Sequence, residues 1–147
     1  MKTKKEAFSK FGIKQKNERW SWSGLNLGTS APIDPSLESP FCVLTIWTDQ
    51  KKFNIDSKIH YWSTFNCNNE IWRDKPGNIA RIDDIKFCLE NLNGEFLAIF
   101  INPVKKGVFD EESRKIKSIS INTRLWFKIT CFDEKTGECA AESFLRD

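Results

Sequence analysis

The sequence has few of the residues on which recognisable catalytic and metal-binding sites depend. It contains a single histidine, and its five cysteines show no C-x-x-C spacing. Zinc sites need several cysteine or histidine ligands at short, regular spacing, so the sequence predicts no bound metal and no cofactor. It also lacks the glycine-rich patterns that hold nucleotide phosphates, G-x-x-x-x-G-K and G-x-G-x-x-G. No catalytic signature assigns the protein to a class of enzyme.

Long apolar runs are absent as well. No segment approaches the roughly 18 to 20 apolar residues that cross a bilayer, and the basic N-terminus lacks the apolar stretch of a signal peptide. A hydrophobic content of 39% and a charged content of 29% are typical of a soluble globular protein, and we expect a cytoplasmic one. The length of 147 residues predicts one domain over 1–147, with a basic N-terminal arm at 1–16 and a body at 17–147.

The cysteines are predicted to be free thiols in two different environments. Cys42, Cys88 and Cys131 lie inside apolar runs, where a free thiol usually behaves as a small buried hydrophobe. Cys67 lies in the polar run Asn66–Asn69, so it is the one cysteine that we expect to be exposed.

Positive charge is concentrated at the N-terminus. The first 19 residues hold seven basic and two acidic residues, whereas the remaining 128 hold 16 basic and 18 acidic ones. A basic arm on a nearly neutral body is the pattern expected when one segment binds a polyanion, and a solvated terminal helix is the equally weighted alternative. The candidate phosphate ligands in this arm are Lys4, Lys5 and Arg19.

Hydrophobic periodicity divides the chain into two helices and six strands. Thr3 and Glu6 have the spacing of a capping box, so we predict a short helix at 3–11 that Gly12 ends. Asn78 is the predicted N-cap of a main helix that continues to Asn93. The strands are predicted at 17–23, 41–48, 58–65, 95–104, 118–132 and 139–144, with surface loops at 24–40 and 67–77.

This element order, α-β-β-β-α-β-β-β, predicts an α+β fold. Strands grouped before and after one main helix favour a curved, mainly antiparallel sheet or a partly open pseudo-barrel of about six strands, with the main helix across one opening and a short N-terminal helix. The outline is similar to small pseudo-barrel domains that bind nucleic acid or modified bases. That likeness concerns element order alone and assigns no residues.

The aromatic side chains are the most distinctive feature of the composition. The chain holds six tryptophans, and Trp20 and Trp22 alternate onto one face of a predicted strand beside the basic arm. Trp72 lies in a polar loop, where core packing alone would not require a tryptophan. Aromatic faces stack on unpaired bases, so the set predicts a base-binding pocket, with ordinary core packing as the alternative for each ring. The pocket residues are predicted to be Trp20, Trp22, Trp47, Trp62 and Trp72.

A second phosphate site is predicted where the main helix begins. Arg73 and Arg81 flank the expected helix start at Asn78, and free backbone N–H groups beside guanidinium groups suit one phosphate. The alternative is an ordinary helix cap with solvated arginines.

Three hypotheses about function result. The first is a non-enzymatic nucleic-acid-binding domain, for DNA or RNA, that reads a modified or flipped base in bacterial or phage defence. The second is a protein-interaction module or inhibitor in which the tryptophans form the hot spot. The third is a metal-dependent nuclease centred on Asp49 and Lys51, whose acid-x-Lys spacing matches such sites.

Overall fold

The protein folds as an α+β structure with three α-helices and a single mixed sheet. The computed structural model describes residues 1, 3–17, 21–107 and 114–146. None of the helices in this part of the chain is both long and apolar enough to span a membrane. The elements in chain order are α1 (Lys4–Lys10), β1 (Ser23–Asn26), β2 (Phe41–Trp47), β3 (Lys51–Asn54), β4 (Ile59–Ser63), α2 (Asn69–Trp72), α3 (Pro76–Asn91), β5 (Glu95–Pro103), β6 (Ile116–Phe132) and β7 (Cys139–Leu145).

The sheet has seven strands in the order β1-β2-β5-β6-β7-β4-β3. Only β2 and β5 pair in parallel, and the other five neighbouring pairs are antiparallel, which confirms the mainly antiparallel prediction. The parallel pair requires a long crossover, and α3 lies within it. The sheet is open, with β1 and β3 as its two edge strands.

The connection between β2 and β3 shows that the sheet is strongly curved. These strands stand five positions apart in the strand order, which would place them roughly 24 Å apart in a flat sheet. A 3-10 turn of three residues, Thr48–Gln50, joins them, and such a connection spans at most about 15 Å. In agreement, Lys51 Nζ of β3 lies 5.6 Å from the ring centroid of Phe100 on β5.

Each face of the sheet carries its own apolar core. On the concave face, the rings of Trp62 and Phe96 meet at 5.9 Å although β6 and β7 lie between their strands, and α3 adds Ile85 and Cys88. On the outer face, α1 packs with Phe8 against β5 and β6. Both faces of β2 are buried, as its apolar sequence predicts.

The start of α1 forms as the capping box predicts. Thr3 Oγ1 accepts a hydrogen bond from the backbone N–H of Glu6 at 3.1 Å and donates to Glu6 Oε1 at 3.2 Å. Gly12 follows the helix with φ of +69°, a left-handed conformation that glycine adopts without steric cost.

Four of the predicted element boundaries are wrong. The first strand was predicted at 17–23, but β1 spans Ser23–Asn26 and so extends into the expected 24–40 loop. Residues 18–20 of the predicted strand lie outside the described residues. β3 lies between the predicted strands 41–48 and 58–65, where no strand was predicted, because its lysines belong to a mostly exposed edge strand, where polar residues are common. α2 lies in the expected 67–77 loop. α3 begins at Pro76, which favours the first helical position, so Asn78 is not the N-cap.

The expected exposure of two cysteines is also wrong. Cys67 is only 8% exposed, because its Sγ contacts the carbonyl oxygens of Ser63 and Phe65 within the turn before α2. Cys131 is exposed. It follows a register shift in the pairing of β6 with β7, between Ile129 and Cys131, and such an irregularity changes the face on which a side chain emerges. Cys42 and Cys88 are buried, as predicted.

Candidate nucleic-acid interface

A cleft of about 420 Å³ lies beside the N-terminal helix, and we call it the lysine cleft. Two exposed ammonium groups, two hydroxyls and one amide side chain stand around it, and no acidic residue occurs among the described residues that line it. Such a set favours an anionic ligand. The lining residues are Lys5, Ser9, Gly12, Ile13, Lys14, Gln15, Ser30 and Ala31.

The amide of Asn26 fixes the two walls of the lysine cleft to each other. Asn26 Nδ2 donates to the carbonyl of Phe11 at the end of α1 and to that of Ser30 in the facing loop, both at 2.9 Å. A Cβ atom at Gly12 would stand 2.8 Å from the Ser30 oxygen, so only glycine permits this approach. The backbone of Ile33 donates to the Lys10 carbonyl at 2.9 Å. The cleft is therefore built by the fold and does not depend on the lysine side chains.

Gln15 gives the lysine cleft a polar group with unused hydrogen-bonding capacity. Both Gln15 Nε2 and Oε1 are buried, and neither has a hydrogen-bond partner in the structure. Leaving such a group unpaired costs about 1–3 kcal/mol, which a ligand that pairs with it would recover. No sequence pattern marks Gln15 as a site residue, because a lone glutamine belongs to no motif.

The structure describes two of the three predicted phosphate ligands of the basic arm, and these two differ in position. Lys5 lines the lysine cleft, whereas Lys4 Nζ lies 3.4 Å from the Ser21 carbonyl, a contact that ties α1 to the start of β1. The predicted phosphate ligand Arg19 and the predicted pocket residue Trp20 lie outside the described residues.

The four described tryptophans of the predicted pocket are buried and do not converge. Trp22 and Trp72 lie in edge-to-face contact, with ring centroids 6.5 Å apart. Trp47 lies on the outer face of the sheet, and Trp62 lies on the concave face. Trp72 is 2% exposed although its neighbours in sequence are polar, because α2 folds its ring inward and Nε1 donates to the Cys67 carbonyl at 3.0 Å.

Only one of the two arginines of the predicted second phosphate site lies at the surface. Arg73 is exposed, whereas Arg81 is 4% exposed, so the alternative of an ordinary cap with solvated arginines does not hold for Arg81. The Arg81 guanidinium lies 4.9 Å from the Trp22 ring and 5.5 Å from the Trp72 ring, and Nη2 donates to Asn78 Oδ1 at 3.1 Å. Arg81 thus helps to seal what we call the Trp72 cluster (Trp22, Trp72, Asn78 and Arg81).

The two residues of the nuclease hypothesis have other partners. Asp49 forms a buried ion pair with Arg114, and Asp49 Oδ2 also accepts a hydrogen bond from the Gly107 N–H at 2.9 Å. The Arg114 guanidinium lies 4.3 Å from the centroid of the Trp47 ring. Lys51 Nζ lies 2.9 Å from His60 Nδ1, and burial lowers the pKa of the Lys51 ammonium. Within the described ranges, no three His, Cys, Asp or Glu side chains are grouped to hold a metal ion.

A second cleft, of about 410 Å³, lies beside β4, and we call it the Tyr61 cavity. The Tyr61 side chain, 41% exposed, is in its wall together with the half-buried Phe65. Asp49 also lines it, and Asp49 Oδ1 is buried without a hydrogen-bond partner in the structure. The remaining lining residues are Gln50, Lys52, Trp62, Ser63, Cys67, Thr130, Ala140 and Ala141.

The structure is thus a small α+β protein with one cleft whose charged lining is lysine and a separate cleft with aromatic side chains in its wall. Comparison of the chain with known protein families, with curated proteins and with solved structures finds no match. The function therefore has to be argued from the geometry of the clefts themselves.

Proposed function

We propose that this protein is a non-enzymatic nucleic-acid-binding domain whose basic N-terminal arm binds phosphate groups in the lysine cleft. The supporting observation is the cleft itself: Lys5 and Lys14 flank the unpaired amide of Gln15 in a cavity without acidic lining among the described residues. Lysine supplies sequence-independent attraction to phosphates, and the amide and the hydroxyls of Ser9 and Ser30 supply directional hydrogen bonds.

We further infer that the curved sheet acts as a partly open pseudo-barrel. In this description β2, β5, β6, β7, β4 and β3 form its wall, and β1 extends one edge. The three-residue connection from β2 to β3 and the contact of Lys51 with Phe100 support it. The concave face is filled by side chains and by residues of α3, so the ligand belongs on the outside of the wall, where both clefts have polar lining.

The predicted pocket of Trp20, Trp22, Trp47, Trp62 and Trp72 has less structural support than the arm. The four described rings are at most 5% exposed, so in this conformation they pack and do not present a face to a base. The same burial gives no support to the alternative in which these tryptophans form a hot spot for a protein partner. Recognition of a modified or flipped base, and a role in defence, remain predictions.

The test is a binding titration with labelled single- and double-stranded DNA and RNA oligonucleotides at 50 mM and 200 mM salt, the range over which phosphate contacts weaken most. Two phosphate contacts predict a loss of about tenfold in affinity between these concentrations. The double variant Lys5→Glu/Lys14→Glu reverses the charge of the cleft, and we expect it to lose at least about tenfold at 50 mM salt.

The matched control is Lys105→Glu/Lys135→Glu, which makes the same change in net charge at exposed positions outside the cleft. We expect it to bind within about threefold of the parent chain, because screening weakens interactions between distant exposed charges. Absence of binding to every oligonucleotide at 50 mM salt would refute the proposed function. Equal losses in both double variants would show that net charge, and not the cleft, governs binding.

A further inference from the structure

The Tyr61 cavity has the size and the lining of a site for a small planar ligand. Its volume of about 410 Å³ lies within the range of ligand pockets, about 300–1,000 Å³. The rings of Tyr61 and Phe65 supply apolar surfaces, and the hydroxyls of Ser63 and Thr130 supply polar contacts. Tyr61 lies on the face of β4 opposite Trp62, which explains why its ring is exposed while that of Trp62 is buried in the concave core.

Asp49, which lines both this cavity and the neighbouring cleft beside Asn102, has an acceptor with unused hydrogen-bonding capacity. The Asp49 side chain is 8% exposed, and its two oxygens differ: Oδ2 accepts from Arg114 and from the Gly107 N–H, whereas Oδ1 is buried and has no partner in the structure. A buried unpaired acceptor is costly, so a ligand that donates a hydrogen bond to it gains affinity.

The charges around the cavity favour a neutral donor over a cation. Arg114 already neutralises Asp49, and the exposed ammonium of Lys52 stands in the same wall. A cationic ligand would be repelled by Lys52, and Asp49 would not offset this repulsion because its charge is already neutralised by Arg114. A phosphate attached to the ligand would instead be attracted by Lys52. A planar ring with a neutral amino group and a nearby phosphate has the chemistry of a nucleotide.

We propose that the Tyr61 cavity binds a nucleobase that carries an exocyclic amino group, with the Tyr61 ring against the base and Asp49 Oδ1 accepting from the amino group. The inference rests on the proposed function insofar as the base belongs to a bound nucleic acid. A free nucleotide offers the same chemistry, and the two sources are separated by experiment.

The experiment compares CMP with UMP, which differ at the ring position where cytosine has an amino group and uracil a carbonyl oxygen. Binding is followed by the NMR amide shifts of residues 61, 63 and 130 in the full chain. We expect CMP to bind at least about tenfold more tightly than UMP, because the uracil carbonyl would face Asp49 Oδ1 without a proton to donate. The same titration with oligo(C) and oligo(U) tests the polymer.

Tyr61→Ala removes the stacking surface without altering the Asp49–Arg114 ion pair, and we expect it to weaken CMP binding at least about fivefold. Phe53→Ala is the matched control, because Phe53 is a similarly exposed aromatic residue on β3 that does not line the cavity. It should leave CMP binding unchanged. Equal affinities for CMP and UMP, or equal effects of the two variants, would overturn the inference.

The outcomes also separate this inference from the proposed function. Salt-dependent binding of oligo(C) and oligo(U) with equal affinity, lost in Lys5→Glu/Lys14→Glu, would overturn the base site and leave the nucleic-acid function in place. A preference for CMP without binding of any oligonucleotide would support the cavity as a site for free nucleotides and refute the proposed function.

Discussion

Two aromatic regions of this protein, the Trp72 cluster and the Tyr61 cavity, differ in how far their rings are buried. In the Trp72 cluster, two large rings pack beside Arg81, Trp72 Nε1 donates to the Cys67 carbonyl, and Arg81 Nη2 donates to Asn78 Oδ1. In the Tyr61 cavity, the partly exposed rings of Tyr61 and Phe65 border a cleft, and Asp49 Oδ1 has no partner among the described residues. The difference teaches that, among the described residues, a high density of tryptophan marks the packed interior of this protein and not an open surface.

The largest expected effect is a loss of stability when the Trp72 cluster is disrupted. Trp72→Ala should lower the free energy of unfolding by about 3–5 kcal/mol, because it removes a fully buried ring that contacts Trp22 and Arg81. Tyr61→Ala should lower it by less than about 1.5 kcal/mol, since that ring is partly exposed. Urea denaturation of both variants measures the two values. Similar losses would contradict the division into a structural cluster and an open site.

A smaller effect is expected where the β6–β7 turn meets the Trp72 cluster. Gly137 has φ of +86°, and a Cβ there would stand 2.3 Å from Asn78 Oδ1, the atom that accepts from Arg81. Gly107 has φ of +77°, but no atom of the described residues lies within 4 Å of its Cβ position. Gly107→Ala therefore isolates the backbone cost, about 1–2 kcal/mol, and we expect Gly137→Ala to cost at least about 1 kcal/mol more. Equal costs in thermal unfolding would show that Asn78 is not held in place.

The third effect extends the comparison to the lysine cleft. Gln15→Leu replaces a buried, unpaired amide by an apolar group of similar length, so the free energy of unfolding should stay within about 1 kcal/mol or rise. Oligonucleotide affinity should nevertheless fall at least about fivefold, with little change in its salt dependence, because no charge is removed. A variant that loses stability and keeps its affinity would assign Gln15 to the core.

The smallest effect concerns the only histidine. Burial and the nearby Lys51 ammonium lower the pKa of His60 below 6.5, so its neutral form is favoured in the folded state. Its contribution to stability is therefore complete above pH 6.5 and is lost as the pH falls through the folded-state pKa. NMR titration of the single imidazole should give a value below 6.5, and Lys51→Met should raise it. An unchanged value would show that Lys51 does not act on His60.

Local sequence patterns were sufficient for the elements that depend on neighbouring residues. The capping box of α1, the apolar strands β2 and β5 and the turn between β6 and β7 form close to their predicted positions. The burial of Trp72 and Arg81 could not be predicted from the sequence, because it depends on which distant surfaces meet. A polar loop does not reveal that α2 turns its tryptophan inward, and the apolar spacing of α3 does not reveal that the polar residues Asn78 and Arg81 lie on its buried face.

Neither cleft was predictable as a site, for a related physical reason. The lysine cleft depends on Asn26, a residue of the expected loop, which joins the end of α1 to residue 30. The Tyr61 cavity depends on the curvature that brings the 3-10 turn after β2 beside β4. Both arrangements are set by long-range packing, whereas a sequence pattern reports only local preference.

The parallel pair in the middle of the sheet also determines how the chain reaches this structure. The β3–β4 and β6–β7 hairpins join neighbours in sequence, but β2 pairs with β5 through residues such as Cys42 and Phe96, which are 54 positions apart. Loops of that length close at an entropic cost before any contact offsets it, so we expect refolding in milliseconds to seconds, with the hairpins ordered before the strands between which α3 crosses. Until β5 arrives, β2 is an apolar strand whose edge opposite β1 is unpaired, and this interval is when the chain is most prone to aggregate.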